Sequence, residues 1–322
     1  MFPILKFTTF FKPVLWGGTK IADFKAIPSQ GDNIGESWEI SPIPEHESII
    51  DGGEFSGLSL SQILSSHGKP IMGEPLFNRY GDKFPLLIKF IDSSQDLSIQ
   101  VHPDDDLAAQ RHDGTGKTEM WYSLSPTPSA FIYAGFSHPM TPQSFLKAVN
   151  DGEITGHLKK FHISQGDMIM LPPGCVHALG QGNFVLEVQQ ASDVTYRIFD
   201  YNRPDASGKP RKLHIEESVD AIDYNLSTRI ARNIPAQTNK ETLLERCPYF
   251  TSSIIKVDKH FVMDLERRHS FTIAVAIKGN LTLTAPDGSV YQLPQGQTLL
   301  IPAIMPKVAV DGDGELVTVF IE

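Results

Sequence analysis

Cysteine is almost absent from this chain: among 322 residues only Cys175 and Cys247 carry a thiol. Two cysteines build neither a disulfide framework nor a four-cysteine zinc site, and they point to a reducing, cytoplasmic setting. Long apolar runs are missing too. The longest, residues 271–277, stops at Lys278, far short of the roughly 20 residues a helix needs to cross a bilayer. The opening Met1-Phe-Pro-Ile-Leu-Lys-Phe lacks the charged-then-apolar pattern of a secretory leader. Positive charge is scarce, with 28 Lys+Arg against 38 Asp+Glu and a net charge of -10. Such a surface repels phosphates, which excludes a generic nucleic-acid binder. A small molecule is the expected partner, with no nucleic acid and no membrane, and the chain is expected to be a monomer or a weak homo-oligomer. An anionic substrate would need a local cationic pocket set against the global field.

Glycine (25) and proline (23) are frequent, and they punctuate short β-type runs rather than long helical ones. Runs rich in Val, Ile, Phe and Thr cover 84–91, 97–101, 119–124, 131–134, 167–171, 185–188 and 195–200. After a gap they resume at 252–257, 261–265, 271–277, 281–284, 298–301 and 316–321. Short strands with turn residues at such spacing mark a sandwich or barrel. Three helices are expected. One covers 59–66, one follows the N-cap pair Thr141-Pro142, and one spans 214–224. The polar stretch 227–240 reads as a connection between two halves.

A faint repeat supports the division. Gly166-Asp-Met-Ile-Met-Leu-Pro172-Pro-Gly174-Cys-Val-His177 and Gly296-Gln-Thr-Leu-Leu-Ile-Pro302-Ala-Ile304-Met-Pro-Lys307 share a turn glycine, five strand residues, a proline and a turn. The first copy has the spacing of the second motif of cupin β-barrels. The second has Ile304 and Lys307 at the positions of the second glycine and the histidine. The expected fold is mainly β: two cupin-like jelly-roll barrels with a few helices at the side. Residues 1–226 would form the metal-binding half and 241–322 a degenerate barrel without a metal site.

Strand side chains alternate, so Gln100 and His102 share one face of their strand. Glu119 opens the next candidate strand, and His177 ends the first repeat. One amide, one carboxylate and two imidazoles form an N/O donor set suited to zinc, with other divalent metals possible, and leave room for water or substrate. Several fragments look weaker. Arg111-His-Asp-Gly-Thr-Gly116-Lys117-Thr118 ends like a nucleotide phosphate loop but lacks its first glycine. Glu45-His46-Glu47 sits among prolines and reads as a solvated loop. Cys175 reads as a small buried residue, and Trp38 as a packing residue.

In combination, Leu86-Leu-Ile-Lys89, Ser98-Ile-Gln100-Val-His102-Pro, Gly116-Lys117-Thr-Glu119, Pro172-Pro-Gly174-Cys-Val-His177 and Glu187-Val-Gln-Gln-Ala-Ser192-Asp193-Val-Thr-Tyr-Arg197 resemble the type I mannose-6-phosphate isomerases. So do Leu15-Trp16-Gly17-Gly18 and Gly35-Glu36-Ser37-Trp38, in their short bacterial form. The resemblance implies a zinc-dependent cupin enzyme that interconverts mannose 6-phosphate and fructose 6-phosphate, with Gln100, His102, Glu119 and His177 as ligands of one zinc ion. Moving a carbonyl from C1 to C2 requires a base that shuttles a proton and a cation that holds the developing enediolate charge. Arg197 is the candidate cation, and Glu187, Asp193 and Lys117 compete for the proton-handling role. Lys89 and Ser98 are candidate phosphate contacts. Arg203 stands where the family carries a phosphate-binding lysine. A non-catalytic sugar-phosphate sensor is the alternative, and an iron-dependent cupin dioxygenase a third.

Overall fold

The computed structural model describes residues 2–204, 208–226, 228 and 230–322. It is mainly β with a few helices, and its strands fall into three sheets. A seven-stranded sheet runs in the order Ile230–Ala231, Met168–Leu171, Glu119–Ser123, Phe184–Gln190, Leu86–Asp92, Ile34–Ile40 and Phe10–Gly18. A five-stranded sheet runs Tyr196–Phe199, Ile99–Val101, His177–Leu179, Phe131–Phe136 and Leu158–His162. The third sheet is built from 242–320, and the short strand Leu5–Lys6 pairs along Thr298–Ile301 at its edge. Among the described residues every sheet path has two free ends, so the layers face one another rather than closing into rings.

Alternation sets the layers. In Leu86–Asp92, Leu86, Ile88 and Phe90 point away from the five-stranded sheet. They pack, with Leu186, Val188 and Met120, against helix Leu60–Met72 and against Phe271, Ile273 and Val319 of the third sheet. On the opposite face Ile91, Trp121, Val185 and Ile169 meet Ile132, Ala134 and Leu179 of the five-stranded sheet. That interior is only partly apolar, because Lys89, Glu187, Gln189 and Glu119 alternate into it. Helix Pro142–Asn150, capped by Thr141, covers the outer face of the five-stranded sheet through Phe145 and Ala148.

Several expectations are revised in detail. The runs 252–257 and 261–265 form one 14-residue strand, Thr251–Asp264, paired in register along Lys307–Phe320. The exposed residues between them read as a break in sequence but keep their ladder partners Asp311 and Asp313. The helix expected over 59–66 continues to Met72 after a kink at His67. The connection 227–240 contributes the short strand Ile230–Ala231 against Met168–Leu171; its Ser227 and Arg229 lie outside the described residues. Strands Phe10–Gly18 and Ile34–Ile40 and helix Asp105–His112 went unread, the helix because its apolar residues, Leu107, Ala108 and Ala109, are consecutive and show no helical spacing.

Candidate metal centre and active site

Register assembles the site. Across the five-stranded sheet, Arg197, Gln100 and His177 are direct cross-strand partners and share one face. Across the seven-stranded sheet, Glu119 lies opposite Gln189, and one step deeper Trp38, Lys89, Glu187 and Trp121 form a continuous row. The two faces meet in the interior between the sheets.

There His102, Glu119 and His177, all buried, bring one ligand atom each to within 4.8 Å of the others. His177 Nε2 is 2.9 Å from Glu119 Oε1, and His102 Nε2 is 3.7 Å from Glu119 Oε2. Each imidazole gives its other nitrogen to a main-chain acceptor: His102 Nδ1–H donates to Val194 O (2.8 Å) and His177 Nδ1–H to Cys175 O (2.9 Å). A carbonyl only accepts, so each ring, when neutral, turns an Nε2 lone pair inward, the arrangement of metal-binding histidines. Neither Glu119 oxygen accepts a hydrogen bond of normal geometry, although both are buried. Three lone-pair donors facing one another call for positive charge; the Lys117 ammonium supplies part of it, 2.8 Å from Glu119 Oε2, and two imidazoles with a carboxylate are a donor set for a metal. The residues present therefore fit a divalent metal. Gln100 stands at the edge of this set, its amide 3.4 Å from His177 Nε2.

Charges around the cluster bias its protonation. Burial pushes the Glu119 carboxyl up, but Lys117, His102 and His177 together hold it well below its ordinary value. Burial and the nearby Lys117 ammonium hold His102 well below its ordinary value and so neutral. Burial pulls His177 down, but the adjacent Glu119 outweighs it and raises the ring to about 10 in the metal-free chain. A proton there occupies the position a metal would take.

The other expected residues are placed unevenly. Lys117 lies at the cluster, its ammonium 2.8 Å from Glu119 Oε2 and 3.4 Å from His102 Nε2. Arg197 is half-buried; Nη1 donates to Lys212 O (2.9 Å), while Nε has no partner. Glu187 is buried one row below the cluster, accepting from Trp121 Nε1 at 2.8 Å on Oε1. Its Oε2 has Lys89 at 3.3 Å but accepts no hydrogen bond of normal geometry. Asp193 is exposed, outside the buried set.

Lys89 differs from the expectation of a free phosphate cation. Its ammonium sits between Glu36 Oε2 (3.4 Å) and Glu187 Oε2 (3.3 Å), buried within the interior. Burial would lower it, yet Glu36, Glu187 and Glu119 together raise it above its ordinary value. Two carboxylates neutralise the charge that a phosphate would need. Ser98 is buried just before strand Ile99–Val101. Arg203 donates through Nη2 to Asp200 Oδ1 and through Nη1 to Asp96 O (both 2.6 Å), and Arg211 grips the same Asp200 carboxylate.

Two interior residues were not singled out for chemistry. Glu36 accepts from Trp38 Nε1 at 2.7 Å and sits beside Lys89 and Lys12. Burial pushes its carboxyl up, but Lys89, Lys12 and the indole bond hold it at about 2. Trp38, expected only to pack, also has the Lys12 and Lys89 ammonium groups 4.8 Å from its ring. The alternating Glu36-Ser-Trp38 within a strand was the available signal, because a buried indole N–H needs an acceptor. A cavity of about 930 Å³ lies apart from this cluster, between Tyr80, Asp105, Gln190 and Tyr249.

Comparison with known proteins agrees with this geometry. Residues 4–126 match the family model for the phosphomannose isomerase type I catalytic domain, and residues 239–321 that for the mannose-6-phosphate isomerase cupin domain. The chain is 34% identical to the mannose-6-phosphate isomerase ManA of Bacillus subtilis, over 96% of this chain and 97% of that protein. It is 30% identical to a mannose-6-phosphate isomerase of Streptococcus mutans, over 94% and 93%. The crystal structure of a mannose 6-phosphate isomerase from Bacillus subtilis superposes with a TM-score of 0.85 at 31% identity, covering 98% of this chain and 99% of that one. With its interior His-Glu-His cluster and relatives that align from end to end, this chain belongs to the type I mannose-6-phosphate isomerase family.

Proposed function

We propose that the protein interconverts mannose 6-phosphate and fructose 6-phosphate through an enediolate, with one zinc ion held by His102, Glu119, His177 and Gln100. The observation that carries this reading is the convergence of two imidazoles, each held at Nδ1 by a main-chain oxygen, and a buried carboxylate beside Lys117. Zinc, when bound, supplies positive charge for the sugar oxygens and the developing enediolate.

The chain's own residues do the rest. Arg197 shares the face of Gln100 and His177, and its permanently charged fork holds an enediolate oxygen. Lys117, a cation against Glu119, donates a proton at Nζ. Glu187 Oε2, a buried oxygen with a free acceptor position, is the base, while Trp121 and Lys89 fix its carboxylate plane. Ser98 and Arg203 take the phosphate; Asp200 and Asp96 use only part of the Arg203 fork, leaving N–H groups free. Residues 1–226 form the catalytic unit and 241–322 the metal-free one. The low cysteine content, two thiols in 322 residues, fits a cytoplasmic enzyme.

The test is a coupled assay with mannose 6-phosphate on protein stripped by chelator and then reloaded with zinc. Turnover should vanish and return. Full activity after exhaustive chelation overturns the metal-dependent mechanism. Failure of substrate C2 hydrogen to exchange with deuterated solvent would favour a sugar-phosphate sensor over an enzyme.

A further inference from the structure

Lys117 carries a short segment whose main chain is pinned at three consecutive N–H groups. Gly116 N donates to Asp105 Oδ1 (2.8 Å), Lys117 N to Pro103 O (3.3 Å) and Thr118 N to Gln190 Oε1 (2.8 Å). Two of these anchors are joined, because Gln190 Nε2 donates to the same Asp105 Oδ1 at 3.0 Å. The remaining Asp105 oxygen, Oδ2, accepts from the hydroxyl of Tyr249 at 2.6 Å. Tyr249 lies in the turn between strands Thr242–Arg246 and Thr251–Asp264 of the third sheet, 144 residues away in sequence. The approach is also sterically tight, since a Cβ on Gly116 would stand 2.7 Å from Asp105 N.

We infer that Tyr249 and Asp105 are positioning residues: the metal-free half of the chain sets the placement of Lys117 and Glu119 through a Tyr249–Asp105–Gln190 relay. A charge-assisted hydrogen bond from a phenol to a carboxylate is among the stronger ones available to a protein. Asp105 held by Tyr249 presents one fixed oxygen to both Gly116 and Gln190. Without the phenol the carboxylate gains a rotational freedom that passes to both anchors at once. Lys117 sits between those anchors, and Glu119 is two residues further on. A displacement of about an ångström in a proton-handling group is enough to slow turnover severalfold or more. The second half is thereby more than a structural appendix, although no ligand-bearing residue comes from it.

The inference rests on the isomerase reading for its kinetic consequence but not for its structural one, so two measurements separate them. Zinc-loaded wild type, Y249F and Q190A are compared by amide hydrogen exchange and by the coupled isomerase assay. Y249F removes one oxygen and keeps the ring, so the fold is retained even if Q190A proves unstable. The amides of 116–118 should exchange faster in Y249F, and kcat should fall about threefold to tenfold. KM for mannose 6-phosphate should stay within about twofold, and the chain should keep one zinc. The Y249F/Q190A double variant should lose less than the product of the two single losses, because both changes act through the Asp105 carboxylate, which also holds Gly116 directly. Unchanged exchange at 116–118 in Y249F overturns the relay whatever the enzyme's activity, as do a wild-type kcat or strictly additive losses. A wild type that exchanges as expected but does not isomerise the sugar overturns the isomerase reading and leaves the relay standing.

Discussion

At the scale of single residues, the proposed mechanism divides the interior into side chains that would hold a metal and side chains that would handle the substrate. His102→Ala should lose both metal and turnover, as one of three buried donors disappears. Arg197→Ala should keep its zinc by elemental analysis and lose about 10²-fold or more in kcat, the scale of removing one charge-stabilising group. Lys89 makes a different demand. Its ammonium stands between Glu36 and Glu187, so Lys89→Met leaves the buried Glu187 facing a methyl group and Glu36 with the more distant Lys12. Breaking such an arrangement costs about 3–5 kcal/mol, to be read by urea unfolding at pH 7. The pH sign follows from Glu36. Its pKa falls from 4.5 to about 2 on folding, so its contribution is complete above about pH 4.5 and is lost as pH falls toward 2. The gap between wild type and Lys89→Met should be widest at neutral pH and narrow on acidification; a gap that grows in acid would contradict the assignment. Sequence alone brought Gln100, His102, Glu119 and His177 together because alternation and turn spacing are local rules. It did not foresee the carboxylates of Glu36 and Glu187 on Lys89, because the row Trp38–Lys89–Glu187–Trp121 joins four strands through register. No local pattern encodes register between strands so far apart in sequence.

At the scale of elements, the two copies of the glycine–proline repeat show one turn put to two uses. In the first, Gly174 adopts φ +80°, donates its N–H to His102 O (3.0 Å) and accepts from Asp223 N. A Cβ there would meet Asp223 N at 2.9 Å. Gly174→Ala should therefore cost about 1–3 kcal/mol and weaken zinc binding, since the turn delivers His177 while tying down His102. Urea midpoints and chelator competition would measure the two effects, and an unaffected zinc affinity would uncouple this turn from the metal. In the second copy the turn docks a helix end instead: Ala303 N and Ile304 N donate to Ile71 O and Pro70 O at 2.9 and 3.0 Å. These are carbonyls that a helix ending at Met72 leaves without intrahelical partners. The repeat and its lost histidine could be read from the sequence. The new partner could not, because the kink at His67 hid the second half of helix Leu60–Met72.

At the scale of the whole molecule, one apolar cluster joins the halves. It runs from Leu5 and Ile63 through Phe84 and Phe90 to Phe250, Phe271 and Val319, so the two halves share a large part of their apolar interior, although each also has a cluster of its own, around Leu281, Leu293 and Val308 in one and around Ile99, Phe145 and Ala178 in the other. Zinc-loaded protein should unfold in a single cooperative calorimetric transition, and a chain cut after residue 226 should aggregate by exposing Leu86, Ile88 and Phe90. Two resolved transitions would show independent units. Removing the metal should lower the midpoint, because a ligand at about 1,000 times its dissociation constant stabilises the folded state by about 4 kcal/mol. The broad mainly β plan was readable from turn spacing. The stacking of the halves was not, since it depends on which face of each strand is apolar once the register is known.

Both metal-facing imidazoles are oriented by peptide oxygens, those of Cys175 and Val194. A peptide oxygen is contributed by every amino acid alike, so the outer support of this centre is written in the backbone and is indifferent to the side chains displayed at 175 and 194. Lineages could exchange the thiol for another small group without disturbing how the rings are aimed. A carboxylate performing the same task would have frozen that position for as long as the ion was needed.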